Sequence, residues 1–139
     1  MSKLNLATVK QMIAGAEEKA KEIGVPMVIT VVDDGGNLVA SHRMDEALLV
    51  SLDISLNKAW TSVALKMPTD ELSKLGGPGG ELYGINTTNN GRVVLFGGGI
   101  PILIAGSVIG AVGVSGGSVA DDIEVAEAAV SVFGTLQPQ

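Results

Sequence analysis

The chain has 139 residues, and because domains cluster at roughly 100–150 residues we expect one domain over residues 1–139. Its formal net charge is −6 and its Lys and Arg residues are scattered along the chain, so no basic surface is predicted and nucleic acid is excluded as an expected partner. Cysteine is absent, which excludes disulfides, thiolate zinc sites, iron–sulfur clusters and cysteine nucleophiles.

The amino terminus begins with Met1-Ser2-Lys3-Leu4-Asn5 and then becomes amphipathic, without the apolar core of a signal peptide. No apolar run approaches the roughly 18 residues that indicate a membrane span. The sequence therefore predicts a cytoplasmic protein that does not contact a membrane.

The first predicted element is a helix, because apolar residues recur at helical spacing from Leu6 to Ile23 before Gly24 and Pro26 end it. A run of β-branched residues then covers 27–32, and turn residues at 33–37 separate it from a second short run at 38–41. This pattern predicts a β-hairpin.

A long helix is predicted from Glu46 to Met67, with Asp45 as its N-cap and Pro68 ending it. One stripe of this helix is apolar and another is polar; the apolar stripe is Leu49, Leu52, Leu56, Ala59 and Val63, and the polar stripe is Ser51, Ser55, Lys58 and Ser62. For Lys58 the expectation is exposure to solvent, with anion binding as the alternative. Thr69 is predicted to cap one further short helix.

No period is visible from Gly76 to Gly91, and structureless connections of this length are usually functional or disordered. Two apolar runs follow, separated by Gly106-Ser107, and predict a second hairpin with a two-residue turn. Ser118, with Asp121 three residues later, resembles a capping box that opens a C-terminal helix. Helices and hairpins segregated in this way favour an α+β fold with an antiparallel sheet of about five strands.

Most motifs of common catalytic sites are missing. The glycines at 97–99 precede a predicted strand and are not followed by Lys-Ser or Lys-Thr, so neither the P-loop nor the dinucleotide fingerprint is present. Ser115 lies in a sequence that misses the nucleophile-elbow spacing, and the single histidine, His42, cannot build the usual zinc constellations. Haem needs only one axial ligand, for which His42, Met44 and Tyr83 are available.

Several segments resemble the GlcG/HbpS family, also called the haem-degrading domain family, which includes the C-terminal module of PduO-type proteins. The segments are Gly36-Asn37-Leu38-Val39, Arg43-Met44-Asp45, Asp53-Ile54 with Lys58-Ala59, Gly98-Gly99-Ile100-Pro101 and Gly113-Val114-Ser115-Gly116. The likeness covers nearly the whole chain. Glu46 is a departure, because the family more often has glycine there.

The resemblance implies a profilin-like α+β fold, a homo-oligomer and, in several members, binding of haem or another tetrapyrrole. It also implies that Arg43 lies beside a pocket where the Gly76–Gly91 loop and Gly98-Gly99 meet, while Asp45 closes the junction between hairpin and long helix. Ligand-binding residues are thus expected among His42, Arg43, Asp45, Lys58, Tyr83, Gly98 and Gly99. His42 is the only histidine that could serve as a haem ligand.

The leading hypothesis is a cytoplasmic, oligomeric protein that binds haem, a related tetrapyrrole or a small organic ligand, as an accessory to a catabolic pathway. One alternative is an enzyme or chaperone for a small hydroxy-acid, diol or aldehyde, using Arg43, Lys58 and Asp45 for anion binding and acid–base work. Another is a structural assembly module without a ligand. A haem titration, a titration with small acids and a measurement of the assembly state would distinguish these three hypotheses.

Overall fold

The computed structural model describes residues 4–137. In chain order its elements are α1 (Leu6–Ile23), β1 (Val28–Asp33), β2 (Leu38–Arg43), α2 (Val50–Leu65), α3 (Thr69–Gly76), β3 (Gly99–Ile104), β4 (Ser107–Ser115) and α4 (Val119–Thr135). Two short 3-10 turns, Ile85–Thr87 and Asn89–Gly91, lie in the segment for which no period is visible in the sequence. The α+β prediction is confirmed.

One antiparallel sheet in the order β2-β1-β4-β3 contains the strands of both predicted hairpins. It has four strands within residues 4–137, so the expectation of about five is wrong. The turn between β3 and β4 consists of Ala105 and Gly106, both at positive φ (49° and 82°), which is the geometry of a type I′ turn. The predicted Gly106-Ser107 turn is therefore displaced by one residue, because Ser107 already pairs with Ile104.

Helices cover both faces of the sheet. On one face α1 and α4 pack on β-branched and other apolar residues such as Ile29, Val31, Val112 and Val114, which belong to the main hydrophobic core. The capping of these two helices agrees with the sequence: Gly24 ends α1 at φ 83°, and the Ser118 Oγ of α4 accepts from the Asp121 N–H. The other face is covered mainly by α2.

The polar stripe of α2 faces the sheet, contrary to the expectation for Lys58, and Ala59 of the apolar stripe is buried beside it. Ser51, Ser55, Lys58 and Ser62 are buried, whereas Leu49 is 80% exposed and Leu52 is 39% exposed. The reason is the sheet surface beneath the helix, where Gly99 pairs with Gly113. A Cβ on Gly113 would collide with the Ser55 carbonyl, so the helix backbone rests directly on the sheet at this point and leaves room there only for small side chains such as Ser55.

Several hydroxyls at this contact bond to one another, whereas the buried Ser62 Oγ has no hydrogen-bond partner within residues 4–137. Thr30 Oγ1 lies 2.7 Å from Ser41 Oγ and 2.8 Å from Ser55 Oγ, and Ser51 Oγ lies 3.0 Å from Ser115 Oγ. Because buried polar groups are costly only when unpaired, a hydroxyl-lined contact of this kind is stable.

Two predicted caps are wrong. The helix α2 begins at Val50 after Leu49, so Asp45 precedes it by a full turn and does not cap it. The helix α3 follows Pro68 at its N-cap position, and Thr69 is instead its first residue, where its buried Oγ1 accepts from the Gly99 N–H at 2.9 Å. Glu46 adopts a left-handed conformation with φ 72°, which glycine would adopt with less strain.

Candidate functional site

His42 lies at the end of the edge strand β2 and faces α1. It pairs with Ile29, as Ala40 pairs with Val31, so His42 and Ala40 share a face as alternation predicts. Leu38 does not share it, because a bulge shifts the register and pairs Leu38 with Val32. The imidazole Nδ1 lies 3.2 Å from Glu17 Oε2 of α1, and the side chain is 49% exposed.

This contact fixes the orientation of the imidazole. A carboxylate bonded to one ring nitrogen holds the ring and leaves the other nitrogen as the free donor atom, which is the usual arrangement around metal-ligating histidines. In this protein Glu17 occupies Nδ1. The Nε2 atom is therefore the one available to a ligand.

A cavity of about 420 Å³ lies beside this pair and is lined by Glu17, Lys21, Arg43, Met44 and Asp45. Arg43 and Asp45 are both exposed, and no ion pair joins them in the described range 4–137. Both side chains instead border the same opening. The lining carries two cations, Lys21 and Arg43, and two carboxylates, Glu17 and Asp45.

Lys58 belongs to a different place in the molecule. Its side chain is fully buried, and its Nζ donates to the Val114 carbonyl at 2.8 Å and to Asp122 Oδ2 at 2.9 Å. The Phe96 ring lies over the ammonium, with its centroid 5.1 Å from Nζ. The expectation that Lys58 faces solvent is therefore wrong.

Burial dominates the electrostatics of this pair. It lowers the pKa of the Lys58 ammonium, an effect that the charge and hydrogen bond of Asp122 oppose. It raises the pKa of the Asp122 carboxyl, which the hydrogen bond from the Gly117 N–H and the charge of Lys58 oppose. The charge and hydrogen bond of each partner thus oppose the effect of burial on the pKa of the other.

Gly98 and Gly99 lie against Lys58, and they also border a larger cavity of about 540 Å³ between α3 and α4. That cavity contains neither Arg43 nor any residue of the Gly76–Gly91 segment, so the expected meeting of these three features is wrong. Tyr83 is 70% exposed in the Gly76–Gly91 segment and does not line any of the cavities described here.

The structure thus divides the predicted site residues into two groups. His42, Arg43 and Asp45 lie together at the end of β2, whereas Lys58, Gly98 and Gly99 lie on the other side of the sheet. Glu17, Lys21 and Asp122 complete these groups and are not predicted from the sequence. Glu17 and Lys21 lie four residues apart and therefore on one side of α1, but nothing in the sequence indicates that this side meets β2.

These features define a small α+β domain in which a four-stranded antiparallel sheet lies between helices and carries a histidine–carboxylate pair at its edge. The chain belongs to the HbpS-like family: a family model described as "Haem degrading protein HbpS-like" matches residues 4–131.

Similar proteins cover almost the whole chain. An uncharacterized 15.0 kDa protein of the dhaT-dhaS intergenic region of Citrobacter freundii is 50% identical over 133 residues, which are 96% of this chain and 94% of that protein. The crystal structure of Klebsiella pneumoniae protein ORFY has a TM-score of 0.95 at 47% identity and covers 99% of this chain and 94% of that one. The crystal structure of a PduOC–haem complex has a TM-score of 0.91 at 40% identity, covering 94% and 95%.

Proposed function

We propose that the protein binds haem or a related tetrapyrrole, with His42 Nε2 as the axial ligand. The observation that carries this proposal is the Glu17–His42 contact, which occupies Nδ1 and aims the rest of a half-exposed ring at solvent. The PduOC–haem complex, a structural neighbour with a TM-score of 0.91, supports haem as the ligand.

The cavity next to His42 has groups that would meet the haem carboxylates. Lys21 and Arg43 line it, and each can donate charge-assisted hydrogen bonds to a propionate. Glu17 and Asp45 offset this attraction, because they place two carboxylates in the same lining. We therefore expect an affinity below that of a dedicated haem carrier.

A haem titration followed by absorbance tests the proposal. The wild-type protein should give the spectrum of histidine-ligated haem, and His42→Ala should abolish it. Met44→Leu and Tyr83→Phe are matched controls, because they remove the other candidate ligands and should leave the spectrum intact. Tight binding that survives His42→Ala would show that another atom ligates the iron.

The second part of the proposal is a homo-oligomer formed through the outward side of α2. Leu49, the N-cap residue of this helix, and Leu52 within it both expose their side chains, and Leu38 on the edge strand β2 is 57% exposed. Sedimentation at micromolar concentration should show an oligomer that Leu49→Glu dissociates. A monomer at that concentration would contradict the proposal.

We also propose a cytoplasmic location and a role as accessory to a catabolic operon. In the range 4–137 no helix is long and apolar enough to cross a membrane. The operon role is supported by the relative in the dhaT-dhaS intergenic region. Cell fractionation and co-transcription measurements test these two statements.

A further inference from the structure

A third cavity, of about 220 Å³, lies where α2 and α4 begin and β4 ends. Large apolar side chains surround it, and four of them are exposed: Leu48, Val50, Phe96 and Val119. Exposed apolar residues grouped around a concave opening are typical of a small-molecule site. None of these residues lines the cavity beside His42.

The cavity also contains two buried hydroxyls. Ser51 and Ser115 both line it, are 1% and 6% exposed, and lie 3.0 Å apart at their Oγ atoms. Each hydroxyl has one hydrogen, and the bond between them uses only one of the two. Over residues 4–137 neither Oγ has another hydrogen-bond partner, so one O–H remains free to donate into the cavity.

The charge of the cavity wall is already neutralised. Asp122 is the one ionisable residue in the lining, and both of its oxygens are occupied, Oδ2 by Lys58 Nζ and Oδ1 by the Gly117 N–H. Lys58 itself lies behind Asp122 and does not line the cavity. An anionic ligand would therefore meet the Asp122 carboxylate without a cationic side chain in the lining to bind it. A cationic ligand would have to compete with Lys58 for Asp122.

We propose that this cavity binds a small neutral alcohol, aldehyde or ketone, whose oxygen accepts the free serine O–H and whose hydrocarbon part contacts the apolar rim. The volume sets the size of the ligand, because 220 Å³ is the liquid volume of about seven water molecules at ~30 Å³ each. Haem is too large for this cavity, so the site is independent of the haem proposal.

Three probes of equal size test the charge preference. 2-Butanone is neutral, propionate is an anion and protonated 2-aminobutane is a cation, and all have the same number of non-hydrogen atoms. In amide-resolved NMR titrations, 2-butanone should shift the signals of Ser115, Gly116 and Gly117 saturably, with a dissociation constant on the order of millimolar. Equal binding of all three probes, or no saturable shift with 2-butanone, overturns the proposal.

The serine donors are tested by single and double variants. Ser115→Ala should keep binding, because the Ser51 hydrogen is then free, whereas Ser51→Ala with Ser115→Ala should weaken 2-butanone binding at least ~10-fold. Val119→Phe should block the opening, and Leu103→Phe, a matched change at an exposed position of β3, should not. Unchanged binding in the folded double variant refutes the assigned donors, and His42→Ala should leave this titration unaltered.

Discussion

Replacing Asp122 by alanine should destabilise the protein strongly, because it leaves the ammonium of Lys58 buried without a counter-charge. Lys58 is 0% exposed and Asp122 is 4% exposed, so in the variant the buried ammonium loses the one carboxylate that it contacts within residues 4–137. Breaking a buried ion pair by removing one partner typically costs about 3–5 kcal/mol. At about 3 °C per kcal/mol for a chain of this size, the melting temperature should fall by about 9–15 °C.

The paired replacement separates the cost of an unpaired charge from the contribution of the pair. Lys58→Met combined with Asp122→Leu removes both charges, and such exchanges range from neutral to about 1–4 kcal/mol more stable. Gly117, which donates to Asp122, is exposed, so water can take over that hydrogen bond. Urea unfolding of the two variants and wild type measures the difference, and a double variant as unstable as Asp122→Ala would refute the reasoning.

The two single variants should also respond to pH in opposite directions. Lys58→Met removes the positive charge that opposes the raised pKa of the Asp122 carboxyl. Above pH 3.8 the native state of this variant therefore binds more protons than the unfolded state. Its free energy of unfolding then falls as pH rises through the pKa of Asp122 in the folded protein. In Asp122→Asn the lowered pKa of Lys58 makes the unfolded state bind more protons below pH 10.5, so stability increases as pH rises in that range. Slopes of the same sign would contradict the assigned pKa directions.

Further predictions concern the backbone. Gly113→Ala should cost about 1–3 kcal/mol or more in urea unfolding, because its Cβ would meet the α2 backbone, whereas Gly134→Ala, with open space around it, should stabilise by ~0.5–1 kcal/mol. Ser118→Ala should lower the free energy of unfolding by about 0.5–2 kcal/mol, because it removes the N-cap of α4. Asp45→Ala should change it by no more than ~0.5 kcal/mol, because Asp45 does not cap α2. Equal losses in the two variants would show that Asp45 has a structural role. Glu46→Gly should raise the melting temperature, because the left-handed backbone strains a residue with a side chain by about 1–2 kcal/mol and glycine avoids this strain.

The helix α1 shows what periodicity can predict. The spacing of its apolar residues predicts both where α1 begins and ends and which of its residues are buried. The prediction succeeds because its buried side chains are ordinary apolar ones, namely Val9, Met12, Ile13, Ala16 and Ala20. The capping residues Gly24 and Ser118 are equally readable, since each cap depends on the chemistry of one residue in its local sequence.

The helix α2 shows where periodicity fails. Its buried side is serine-rich because two glycines on different strands remove the side-chain layer beneath it, and the pairing of Gly99 with Gly113 is a long-range fact. The sequence predicts a solvent-facing Lys58 because its buried partner, Asp122, lies 64 residues away, and this contact is also long-range. The Glu17–His42 contact is likewise set by how α1 packs on β2.

The difference between the two sheet faces has a thermal consequence. The contact of α1 and α4 with the sheet is apolar, and apolar burial loses driving force on cooling. The contact of α2 depends more on hydroxyl pairs, an ion pair and close backbone approach. Cooling should therefore loosen one side of the protein before the other, so that near 0 °C the protection of amides from exchange, relative to their intrinsic rates, would fall first in α1 and α4 and persist in α2.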